Sequence, residues 1–172
     1  MLCGMSDETT ERVVAVNRGV EQSDRAVTKP GAAHRALDAW IGRWINQGYT
    51  VDEHGDAGLP ITTSDVYEWA PGGFFVLHTA YGRIGDFGGG GVEIIGYDDA
   101  TGEYAAYFFD SAGNRSSHRL VADGDTWTYH GDTTRATVRF SHGDTVQTVL
   151  HERTDDGSTF VPSMRVTLIK VP

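Results

Sequence analysis

From Gly42 onward the chain is interrupted at short, regular intervals by turn-forming residues: "APGG", "GDFGGGG", "DATG", "SAGN", "DGD", "GDT", "HGD" and "DDGS". Glycine, aspartate and asparagine tolerate the positive φ that hairpin turns require. The segments between these turns, among them "RWINQGYTVD", "TTSDVYEWA", "GFFVLHTAY", "VEIIGYD", "EYAAYFFD" and "TVQTVLHERT", have the length and the aromatic and β-branched content of strands. Spacing this tight leaves no room for the crossover helix that parallel pairing needs, so successive strands must run antiparallel. A long meander leaves two unpaired edges, and closing on itself removes both. The expected fold is therefore all-β: an antiparallel up-and-down β-barrel of about ten strands. A two-sheet sandwich would need a long Greek-key connection, and none follows Leu59.

The chain of 172 residues suits a single barrel domain over 31–172, preceded by a tail over 1–30 that is charged and poor in aromatics. That tail holds a short valine cluster, Val13, Val14 and Val16, and is expected to be flexible. After Pro30, "AAHRALDAW" places Ala33, Ala36, Leu37 and Trp40 at helical spacing and predicts a short helix able to plug or cap the barrel. The formal net charge of -10 repels phosphate backbones and anionic lipid, so neither nucleic acid nor membrane is an expected partner. The single cysteine, Cys3, permits no intrachain disulfide. No apolar run reaches the length of a membrane span and no secretory leader is evident, so a cytoplasmic location is expected.

Short motifs add a resemblance. "GRW", Gly42 to Trp44, follows the helix and opens the first strand, as the glycine, any residue, tryptophan signature does in lipocalin and calycin barrels. The resemblance implies that Trp44 packs across the closed end of the barrel beneath a cation from the last strand, Arg165 or Lys170. "VEIIGYD", "YFFDSAGN", "DGDTW" and "ERTDDGSTFVP" resemble recurrent segments of the bacterial DUF1579 family, over roughly Ala36 to Val171. That family is uncharacterised and lipocalin-like. The likeness implies a fold and a small-molecule cavity, and carries over no reaction and no catalytic residues.

Alternation along a strand decides which residues share a face. In the last strand Phe160, Pro162, Met164, Val166 and Leu168 share one face and are expected to point inward. "FFVLHTAY" is apolar on both faces, which implies a cover on each side: the interior or its ligand on one, the N-terminal helix or a second subunit on the other. A homodimer is accordingly an expected arrangement. Trp44, Phe75, Tyr107, Trp127 and Met164 are the residues expected to line a ligand cavity.

Three residues are candidates for chemistry. His78 lies mid-strand among apolar neighbours, and a four-residue "APGG" loop would set Asp65 directly opposite it, orienting a general base. Glu93 in "VEIIG" would act as an acid or base if it faced inward, and Tyr107 would donate a hydrogen bond. The simpler reading makes His78 a hydrogen-bonded interior residue and turns Glu93 outward to solvent. Glu68, His118 and His130 are isolated in sequence and stay in reserve.

No HxH or HxxxH pair occurs among the seven histidines, so no metal site is expected. Some ten-stranded calycin-like barrels, the nitrobindin type, hold haem through one histidine, and His151 would fill that place here. Its charged neighbours Glu152 and Arg153 suggest instead an exposed strand residue. "GDFGGGG" lacks the lysine and following helix of a phosphate loop and is expected to form a flexible lid or hairpin loop at the barrel mouth. No nucleophile elbow is present.

These features favour binding of a small, mostly apolar organic ligand without a cofactor. A cofactor-free isomerase or cyclase acting by proton transfer is the alternative, and a haem protein a second one.

Overall fold

The computed structural model describes residues 29–172, so nearly all of the expected tail, its valines and Cys3 lie outside the described residues. A single helical turn, α1 (Ala32–Arg35), runs into a 3-10 turn (Ala36–Ala39). Ten strands follow: β1 (Gly42–Val51), β2 (Ala57–Trp69), β3 (Phe75–Ile84), β4 (Phe87–Asp98), β5 (Glu103–Asp110), β6 (Arg115–Asp123), β7 (Thr126–His130), β8 (Thr134–Ser141), β9 (Val146–Arg153) and β10 (Val161–Val171). Each pairs antiparallel with its sequence neighbours, and β1 pairs with β10 from Arg43↔Val171 to Thr50↔Met164, closing the barrel. The meander anticipated from the turns is thus complete.

The helical segment plugs one end. Leu37 and Trp40 are buried, and the Trp40 ring meets Tyr67, Trp127, Tyr129 and Phe140 at centroid distances of 5.0–6.0 Å. The plug is tied to the wall by Trp69 Nε1–H donating to Asp38 (3.0 Å) and Tyr104 O–H donating to the Ala33 carbonyl (2.8 Å). Trp44 closes the floor beside it, fully buried, its Nε1–H on the Trp40 carbonyl at 2.9 Å. Lys170, directly opposite in register, lays its ammonium 4.8 Å from the Trp44 ring. Gly42 makes that possible, because a Cβ there would sit 3.1 Å from the lysine stem. Of the two cations foreseen it is Lys170; Arg165 stands opposite Tyr49 on the exposed side.

Two local expectations are corrected. Gly88 to Gly91 are strand residues of β4, and the turn is only Gly85–Asp86, with Gly85 at φ 58° in the first position of a two-residue hairpin. Small residues serve close approach here: a Cβ on Gly91 would fall 2.4 Å from the Phe108 ring, and one on Gly90 2.1 Å from the Ala80 carbonyl. In β10 the inward alternation holds for Met164, Val166 and Leu168, but a register shift between Pro162 and Met164 breaks it for the residues before.

The plug caps an end and leaves the outer face of β3 bare. There Phe75, Tyr81, Val92, Ile94, Tyr107 and Phe109 form an exposed apolar strip across β3, β4 and β5. Among the described residues no helix is long and apolar enough to cross a membrane.

Candidate functional site

Above the plug the barrel encloses a cavity of about 1000 Å³. Inward alternation on β2, β3 and β4 brings Asp65, His78 and Glu93 onto one wall, all buried. Tyr67, His78 and Glu93 form one cross-strand row, Tyr67↔His78 and His78↔Glu93. The Tyr67 ring stacks on the imidazole at 3.8 Å and 8°. His78 Nδ1 lies 3.1 Å from Glu93 Oε2, and Nε2 lies 3.0 Å from Asp65 Oδ1.

The contact with Asp65 is diagonal. Trp69 pairs with Val76, so Asp65 stands opposite Ala80, not opposite His78 as a four-residue loop would place it. The register has moved by two residues, which preserves parity, so both side chains still face inward and the imidazole spans the diagonal. Glu93 likewise corrects an expectation, facing the cavity and not solvent.

Each carboxylate has a second oxygen, and the two differ. Asp65 Oδ2 accepts from the Thr63 hydroxyl. Glu93 Oε1 has no hydrogen-bond partner among the described residues and borders the cavity. The order is Thr63, Asp65, His78, Glu93, then open space. Burial works against protonation of His78, but the hydrogen bonds and charges of Asp65 and Glu93 outweigh it and raise the pKa above the ordinary histidine value. In its protonated form the ring donates through both nitrogens and has no lone pair left to act as a base.

The opposite wall carries Tyr129, His118, His151 and Gln147. Burial first, then the Glu93 charge, keeps Tyr129 protonated well above the usual range, and Tyr67 responds in the same way with Asp65 contributing too. His151 faces the cavity, which corrects the exposed position expected for it; burial lowers its pKa, His118 adds to this and Glu93 opposes it, so the ring is neutral at neutral pH. Four buried side-chain polar atoms lack a partner among the described residues: Trp40 Nε1, Asn46 Oδ1, His118 Nδ1 and Gln147 Nε2. All four residues line this cavity. Arg115, Ser116, Thr134 and Arg135 line its open end, where Arg135 makes a two-pronged pair with Glu152 at 2.7 and 2.9 Å.

Of the residues expected to line a ligand cavity, Met164 does so. Trp44 and Trp127 are buried in the floor instead, packed with the plug. Phe75 is half-exposed on the outer face, where its ring covers Gly96. Tyr107 reaches the edge of the cavity and is 53% exposed, whereas Tyr129 is buried within it. Asn46 and Gln147 were missed because a polar residue inside a barrel differs from one outside only by parity. Among the described residues, no group of three or more His, Cys, Asp or Glu is arranged to hold a metal ion.

Fold and interior together define a closed ten-stranded antiparallel barrel whose cavity is lined mostly by apolar surface, with polar side chains set into it. A family model described as "Protein of unknown function (DUF1579)" matches residues 29–165. The chain belongs to the DUF1579 family. No curated protein matches it. Among solved structures it is similar to Rv2717c from M. tuberculosis, with a TM-score of 0.59 at 11% identity, covering 83% of this chain and 99% of that one. At that identity the likeness concerns the fold alone.

Proposed function

We propose that the barrel binds a small organic molecule with an apolar body and a polar head. The observation that carries this reading is the convergence, among the described residues, of all four partnerless buried polar atoms on one cavity of about 1000 Å³. Buried polar groups are ordinarily satisfied, and leaving one bare costs about 1–3 kcal/mol. A guest that meets them recovers that cost, while Val138, Val149, Val166 and Leu168 offer apolar contact. The sequence pointed to a mostly apolar guest; the partnerless polar atoms set into a mostly apolar lining favour one that also carries hydrogen-bonding groups at its buried end.

Filling the space tests the idea. Ala136→Phe, on the inner face of β8, should leave the far-UV circular dichroism unchanged and remove any small molecule that native mass spectrometry finds on the wild type. Retention of the same molecule by the filled variant would refute the reading.

A second reading, proton transfer on a bound intermediate, is favoured by the free oxygen of Glu93. In that case Glu93 is the base, His78 positions it, and Tyr129 is the donor. His151, neutral and inward, is the form that ligates haem iron, but a porphyrin presents apolar faces to Asn46 and Gln147, which need polar partners. The visible spectrum of the protein incubated with haemin tests that alternative.

A further inference from the structure

The charges around Glu93 narrow the class of guest, and this step rests on the cavity being a binding site. His78 stands between two carboxyl groups, so the buried Asp65–His78–Glu93 cluster holds one acidic group more than it has bases to match. Thr63 and the two ring nitrogens satisfy three carboxylate oxygens and leave Glu93 Oε1 open to the cavity. A buried charge without a counterion is expensive.

Among the described residues, no lysine or arginine forms an ion pair with Asp65 or Glu93. Tyr67, Tyr129, His118 and His151 face the same space; the tyrosines stay neutral, His151 is held neutral, and His118 sits toward the mouth with Nε2 at 3.3 Å from the Thr134 hydroxyl. Of the arginines, Arg135 is engaged by Glu152 and Arg115 belongs to the exposed rim.

A second, independent feature points to a guest at the same depth. Trp40 and Gln147, each 1% exposed, hold donors without partners, and Asn46 adds an acceptor.

We propose that the cavity selects a cationic amphiphile: a protonated amine on an apolar body, its ammonium donating to Glu93 Oε1, with an acceptor group within reach of Trp40 and Gln147. An amine brings the missing positive charge and the donors that Glu93 and Asn46 lack. A carboxylate of the same size would set like charge against Glu93.

The test compares three guests of matched chain, octylamine, 1-octanol and octanoate, by isothermal titration calorimetry at pH 7 on the wild type and on Glu93→Gln. Octylamine should bind about tenfold more tightly than octanol, with octanoate weakest, and Glu93→Gln should bring amine and alcohol to within about threefold of each other. Octanol binding as well as octylamine, or octanoate binding best, overturns the preference for a cation while leaving the cavity reading intact. Failure of all three guests to bind overturns both. Should Glu93→Gln fail to fold, the wild-type ranking alone decides, and Asp65→Asn, which removes the other carboxylate charge, serves as the second variant.

Discussion

His78 and His151 face one cavity yet respond to pH in opposite senses. His78 has a folded pKa raised above the unfolded value of about 6.5, so its protonation contributes stability fully below that value, and the contribution is lost as pH rises through the folded pKa. His151 has a folded pKa below 6.5, so acid costs stability as pH falls from there through the lowered value. Thermal melts of His78→Gln and His151→Gln against wild type should therefore diverge in opposite directions. The His78 deficit should shrink as pH rises above neutral, and the His151 variant should gain on wild type as pH falls below about 6.5. Parallel curves would mean that neither shift exists. Thr63 belongs to the same cluster: Thr63→Val removes a hydrogen bond to a buried carboxylate and should cost about 1.5–3 kcal/mol in urea unfolding.

At the scale of elements, the glycines of β4 separate by what lies beside each. A Cβ at Gly88 meets nothing nearer than 3.8 Å, whereas one at Gly90 lies 2.1 Å from the Ala80 carbonyl and 2.9 Å from the Tyr81 backbone. Gly88→Ala should leave the melting temperature near that of wild type; Gly90→Ala should cost about 1–3 kcal/mol or more, because backbone cannot yield as a side chain does. Calorimetry of the two variants checks it. The same stretch shows what a reader of the sequence can recover. Turn residues disclosed the number of strands and their antiparallel order, and "GRW" placed Trp44 at the floor with a cation over it. A run of glycine reads equally as loop or strand, because it carries no side-chain alternation to tell them apart. Glu93 and Phe75 were misplaced for a related reason: inward and outward differ by one step of register, which is set by turn length and not by residue type. The pairing of His78 with Asp65 was legible as a shared face, since a two-residue change in the turn leaves parity alone, while the stacked Tyr67 in the row between them was not.

For the molecule as a whole, closure removes the sheet edges but does not make every seam equal. β1 and β10 are the first and last strands, the edges of any open meander, yet eight residue pairs join them. The short β7 is held by five pairs to β6 and five to β8. Fewer backbone hydrogen bonds must open there to expose the interior, so local opening should begin at β7 and not at the closing seam. This places the weakest part of the wall beside His118 and Thr134, which line the cavity. Amide hydrogen exchange should accordingly be fastest in β6 and β7 among the strands and slow in β1 and β10 alike, and octylamine at about a hundredfold its Kd should slow β6 and β7 most. Fast exchange confined to β1 and β10 would instead indicate a barrel that opens where its chain ends meet, with guests entering along that line.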